Sequence, residues 1–175
     1  YSGHGSTEGK ICTGDSTDDW LSYDDLMTKL DEIGASDYCI VLDGCYSGKA
    51  KDALNDKFDG ADVTLVTSSN SEKESEAEFA GPSADDVKGY GIFTRYFLTC
   101  YGEPDADSNE DEKVTFAEAF DWVKEQNEDV DTTQCPTFTS IVKGVVDTEK
   151  KSFSFKDNDV RIENFTADSF FDIQA

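Results

Sequence analysis

The sequence predicts an α/β fold, a mainly parallel sheet flanked by helices, and three observations carry that expectation. Residues 38–43 (Tyr-Cys-Ile-Val-Leu-Asp) and 62–67 (Asp-Val-Thr-Leu-Val-Thr) are short runs with apolar groups on both faces, as in strands buried within a parallel sheet. A helical pattern lies between them, and strand, helix, strand in that order implies a right-handed parallel crossover. The first run stops at Gly44-Cys45-Tyr46-Ser47-Gly48, a cysteine in a glycine-flanked turn at the carboxyl end of a strand. Open α/β sheets place their sites at that edge.

Each further element follows in chain order. Tyr1-Ser2-Gly3-His4-Gly5-Ser6 has the glycine–histidine–glycine pattern of a turn that ends a strand, so residues upstream, cut away or held on another chain, are expected to complete it. Ser22-Tyr23-Asp24-Asp25 reads as a capped helix start, with Leu26, Leu30 and Ile33 at helical spacing and Gly34 as the stop. Gly48 releases a helix with Ala50, Ala53, Leu54 and Phe58 on one side. Residues 70–89, with Glu72, Glu74, Glu76 and Glu78 and few apolar groups, predict a long loop of the functional kind. A helix over 92–101 presents Phe93, Tyr96, Phe97 and Leu98, and one over 115–126 presents Phe116, Ala119, Phe120 and Val123. Pro136 breaks the chain before a strand at 137–142. Phe153, Phe155, Val160 and Ile162 then alternate around Lys156-Asp157-Asn158-Asp159, the signature of a hairpin. Residues 1–143 therefore read as one domain, and 144–175 as an edge hairpin or the start of an accessory module.

Composition narrows the function. With 175 residues, 37% hydrophobic and 12% aromatic, the chain has enough apolar surface for a core. Thirty-nine acids against 15 bases give a formal charge of −24, which repels nucleic acid and anionic membranes and favours basic peptides and divalent cations. No stretch approaches the length of a membrane span. Five cysteines without C-x-x-C spacing argue against a zinc site or a dense disulfide framework, and leave at least one thiol free. The sequence assigns no compartment; its acidity leans towards an extracellular or cell-surface setting over a cytoplasmic one.

The chemistry lies in the only histidine, His4, and in Cys45. A cysteine is nucleophilic as thiolate, and an imidazole both withdraws the thiol proton and later protonates a leaving amine. The turn at Ser47-Gly48 points a helix N-terminus at Cys45, which favours the thiolate. The backbone amides of Gly5 and Cys45 are placed to form an oxyanion hole. A lone cysteine or histidine is usually structural, so the weight falls on their joint placement, each at a strand-end turn between glycines.

Tyr-Ser-Gly-His-Gly followed by Leu-Asp-Gly-Cys-Tyr-Ser-Gly resembles the caspase-like cysteine peptidases, nearest the metacaspase and bacterial caspase-like pattern, with legumain more distant. The resemblance extends through Val66-Thr67-Ser68-Ser69 and Gly91-Ile92-Phe93-Thr94 to about residue 143. It implies a three-layer sandwich of which this chain is the C-terminal part, His4 as general base and acid, Cys45 as nucleophile, and substrate contacts from Ser68 and Ser69. It also implies an N-terminal companion fragment of the same precursor, since many relatives mature by proteolysis. No cofactor is required. Asp43, two residues before Cys45 on the same strand face, stands where metacaspase-like enzymes hold a basic P1 side chain, so cleavage after Arg or Lys is expected. Hydrogen bonding of Asp43 to its own turn and legumain-like Asn specificity are the competing readings.

A second signal runs over 107–118. Asp107, Asn109, Asp111, Thr115 and Glu118 fall at positions 1, 3, 5, 9 and 12 of a calcium loop, with the Lys113 carbonyl at position 7. Position 6, normally glycine, is Glu112, and Thr115 with Glu118 equally forms a capping box. Calcium is thus one of two expectations there. The alternative function is a catalytically inactive caspase-like binding module, calcium-dependent if that loop is a metal site.

Overall fold

The computed structural model describes residues 1–14, 19–80, 88–129, 134–142 and 145–146. Two short strands, β1 (Lys10–Cys12) and β2 (Trp20–Ser22), pair antiparallel. Helix α1 (Tyr23–Asp31) follows directly, with Ser22 as its N-cap: the Ser22 hydroxyl accepts from Asp25 N at 3.0 Å. Gly34, at φ 69°, turns the chain away after the helix. Ile33 falls past the helix end and is 68% exposed, so the apolar face is set by Tyr23 and Met27 instead.

The central sheet has the order β3 (Asp37–Leu42), β4 (Asp62–Thr67), β7 (Thr137–Val142), β8 (Val145–Val146). The expected parallel pair is β3 with β4, in register from Asp37–Asp62 to Leu42–Thr67. Beyond β4 the sheet turns antiparallel, so among the described residues it is mixed. On the other edge residues 1–3 extend the sheet alongside the end of β3. Tyr1 N donates to Val41 O at 3.0 Å, Asp43 N to Tyr1 O at 2.9 Å and Gly3 N to Asp43 O at 2.9 Å.

Strand period two sends successive side chains to opposite faces and builds two cores. Tyr38, Ile40 and Leu42 of β3 and Val63 and Leu65 of β4 meet Tyr23 and Met27 of α1, with Ala50, Leu54 and Phe58. Cys39, Val41 and Val66 face the other way, towards Phe93 and Phe97 of α2 (Ile92–Thr99) and Phe116, Ala119 and Val123 of α3 (Phe116–Asp129). The result is helix, sheet, helix in three layers. Phe93 and Phe58 are essentially inaccessible, and burying each such side chain contributes roughly 1.5–3 kcal/mol.

Three elements depart from expectation. Ser47–Leu54 winds as a 3₁₀ helix, and Phe58 enters the same core from outside it, at φ 60°, with its N–H held by Asp31 Oδ1 at 2.8 Å. The acidic stretch 70–89 contains strands β5 (Ala77–Ala80) and, from Lys88, β6 (Lys88–Gly91), paired antiparallel. The hairpin expected around residues 156–159 lies outside the described residues. No helix of the described residues is long and apolar enough to cross a membrane.

Candidate active site

Strand β3 empties into Gly44 and Cys45, and Tyr46 follows in the left-handed region at φ 58°. A non-glycine residue there costs energy and persists only where its surroundings fix it. They do. Gly44 N donates to Ser68 Oγ at 3.0 Å, Ser69 Oγ donates to Gly44 O at 3.0 Å, and Tyr46 N donates to Lys73 O at 2.8 Å. Ser47 N and Ser69 Oγ lie 3.2 Å apart, and Thr67 Oγ1 donates to Ser69 O at 2.8 Å. Ser68 and Ser69 are fully buried. Their expected contacts with substrate are therefore corrected: these buried hydroxyls, at the end of β4, bind the Gly44–Ser47 turn.

His4 reaches this turn from the N-terminal segment. Its carbonyl accepts from Cys12 N at 3.0 Å and from the Tyr1 hydroxyl at 2.8 Å, which tie it to β1. Burial raises the Tyr1 phenol above its ordinary value, so it stays a donor. Gly5 packs directly on Cys45: a β-carbon there would fall on the Cys45 carbonyl oxygen. The histidine and cysteine turns are thus in backbone contact, with the His4 side chain exposed and Cys45 half-buried. Neither the Gly5 nor the Cys45 amide donates to a partner among the described residues.

Asp43 is 3% exposed. It does not bond its own turn through its carboxylate. Oδ1 accepts from Ser75 Oγ at 2.7 Å, and Oδ2 accepts from Thr94 N at 3.1 Å and Thr94 Oγ1 at 2.5 Å. Cys45 Sγ lies 3.6 Å from Ser75 O. Gln134 Oε1 accepts from Ser75 Oγ at 2.9 Å and from Glu76 N at 2.8 Å. Tyr1, Ser75, Thr94 and Gln134 were not singled out from sequence. Thr94 ends the Gly91-Ile92-Phe93-Thr94 segment of the resemblance; a serine among glutamates and a glutamine before a strand carry no signal.

The 107–118 loop lies apart from this turn in sequence and is internally bonded. Asp107 accepts from Asp111 N at 3.1 Å and Glu112 N at 2.7 Å, Asn109 from Asp111 N at 2.9 Å, and Asp111 from Lys113 N at 3.0 Å. Glu112 takes φ 66°, the conformation glycine usually supplies at that position. Glu118 is turned onto its own helix: Oε2 accepts from Thr115 N at 2.9 Å and Thr115 Oγ1 at 2.8 Å, and Oε1 from Ser108 Oγ at 3.0 Å. Glu118 N completes the capping box by donating to Thr115 Oγ1 at 3.2 Å. Among the described residues no group of three or more His, Cys, Asp or Glu is arranged to hold a metal, and in this conformation the carboxylates of Asp107, Asp111 and Glu118 accept from the loop's own amides and hydroxyls.

A family model described as the Peptidase C13 family matches residues 1–149. The chain belongs to the Peptidase C13 family. A search of curated proteins finds no match. The family lies in the legumain and caspase-like clan, and the mixed α/β layers agree with a caspase-like fold. Membership of Peptidase C13 supports a hydrolase of cysteine-peptidase type acting on peptides or proteins. It does not carry the metacaspase-like placement within the clan.

Proposed function

We propose that this Peptidase C13 chain is a cysteine endopeptidase working through a His4–Cys45 dyad. The observation that carries the proposal is the backbone contact of Gly5 with Cys45, which supports bringing the only histidine to a cysteine at a strand end. His4 takes the Cys45 thiol proton, and the thiolate attacks the scissile carbonyl carbon to give a tetrahedral oxyanion. The amides of Gly5 and Cys45, which have no partner among the described residues, are the donors we assign to that oxyanion. The imidazolium protonates the departing amine as the C–N bond breaks, leaving a thioester on Cys45. His4 then draws a proton from water, which attacks the thioester and releases the carboxylic acid and the free thiol. No cofactor enters these steps.

A basic P1 residue rests on Asp43 offering an open carboxylate, and its burial and three hydrogen bonds weigh against that. We propose instead the Asn preference of the legumain-like alternative, which the Peptidase C13 match supports. A companion fragment of the same precursor, implied by the resemblance, is proposed to lie beside β3 on the edge where residues 1–3 pair.

Fluorogenic peptides with Asn, Arg or Lys at P1, assayed on wild type, Cys45→Ala and His4→Ala, test the proposal. Cleavage after Asn is expected, falling at least about a thousandfold in either variant. Faster cleavage after Arg or Lys would overturn the P1 assignment alone. No turnover, with no covalent labelling of Cys45 by a peptidyl electrophile, would leave the inactive binding module.

A further inference from the structure

A carboxylate buried at a strand end needs a reason, because desolvation disfavours its charge unless partners replace water. The reason lies in α2. Its N-cap is Gly91, which has no side chain to satisfy the helix's first amides. Asp43 Oδ2 accepts from the amide of Thr94, the third residue of the helix, where an N-cap side chain ordinarily reaches. A β-carbon on Gly91 would fall on that same oxygen. The strand's carboxylate occupies the space a local cap would fill. Its other oxygen accepts from Ser75, whose carbonyl faces the Cys45 thiol and whose hydroxyl also reaches Gln134.

We propose that Asp43 is a positioning residue: from just past the end of β3 its carboxylate caps α2 in place of a side chain on Gly91, and it locks the nucleophile strand, the helix and the Ser75 segment into one unit that sets where the Cys45 sulfur stands. The role rests on Cys45 being the nucleophile, yet its test reads thiol reactivity rather than turnover. If wild type cleaves no peptide, the endopeptidase proposal fails and this one is still decided.

The experiment compares wild type, Asp43→Ala and the double variant Asp43→Ala/Gly91→Asp, following melting temperature and the alkylation rate of Cys45 by iodoacetamide from pH 6 to 9, resolved by peptide mapping. Asp43→Ala is expected to lower Tm and to slow Cys45 alkylation by about 10- to 100-fold, the scale of an ångström's misplacement. The double variant gives α2 a cap of its own and is expected to recover Tm without recovering alkylation. Recovery of both would reduce Asp43 to a helix cap and overturn the proposal, as would an alkylation rate unchanged in Asp43→Ala. Should the alanine variant not fold, Asp43→Asn keeps one oxygen for Thr94 and replaces the acceptor facing Ser75. Slower alkylation at near-native Tm is then expected, and unchanged alkylation overturns the idea.

Discussion

Gly5 and Cys45 are in backbone contact, so close that no side chain fits between them. That contact joins a loop held to β1 through the His4 carbonyl with a turn held to β4 through Ser68 and Ser69. Gly5→Ala forces the two apart. It is expected to cost about 1–3 kcal/mol of stability, as overpacking does, and to lower Cys45 alkylation and peptide cleavage together. Urea melts with unchanged midpoint and unchanged thiol reactivity would refute the contact.

Ser69→Ala removes a buried hydroxyl that serves the Gly44 carbonyl and the Ser47 amide. Leaving those groups unsatisfied costs about 1–3 kcal/mol. Ser71→Ala, at an exposed position, is the control and is expected to stay within about 0.5 kcal/mol. Equal losses in the two variants would sink the assignment of Ser69 to the turn.

The elements read most fully from sequence were 62–67 and 137–142, where mostly apolar or β-branched residues between turn signals allow few alternatives. The hairpin of β1 and β2 escaped because three-residue strands leave no periodicity to detect. Strands β5 and β6 escaped because glutamates and glycines carry little β-propensity; cross-strand pairing stabilises them, and pairing is not a local property. At the site, the sequence shows His4 and Cys45 each between glycines in a turn, and the structure brings those two turns into backbone contact through Gly5. Ser68 and Ser69 were misassigned because a hydroxyl at a strand end looks the same in sequence whether it meets a substrate or a turn. Asp43 drew notice for its position, but its partners Ser75 and Thr94 come from segments distant in sequence.

Thr115→Ala opens the cap of α3 and is expected to cost about 1 kcal/mol. Burial alone would raise the Glu118 carboxyl, but hydrogen bonds from Thr115 and Ser108 outweigh it and hold it below its ordinary value. The folded value is the lower one, so its contribution is complete above the ordinary carboxylate range and is lost as pH falls through the depressed value. The gap between wild type and Thr115→Ala should therefore narrow under acid without closing, because the bond from Glu118 N to Thr115 Oγ1 does not titrate. Calcium chloride or EDTA is expected to leave both melting temperatures unchanged. A calcium-dependent rise, abolished in Asp107→Ala, would show instead that Glu118 leaves Thr115 to complete a metal site.

Burial pushes the Cys39 and Cys100 thiols up to about 12. At pH 8 both remain protonated and unreactive. Limited alkylation of the native protein at that pH, followed by peptide mapping, should modify neither. Exposed Cys135 serves as the internal standard for labelling. Modification of Cys39 or Cys100 at the rate of Cys135 would contradict their burial.

Strand β4 is paired along both edges, and five of its six residues are buried. Amides in such a strand exchange with solvent only when the whole domain opens, whereas loops and termini fray far more often. Thr67, Ser68 and Ser69 lie at the end of that strand, and the Cys45 turn hangs from them. The Cys45 turn is therefore anchored to the last part of the molecule to let go, and the His4 turn is held to it through Gly5. Deuterium uptake should be slow along β4 and at the Gly44 and Tyr46 amides, which bond Ser68 and Lys73, so the turn holding Cys45 should keep its shape until the sheet itself opens.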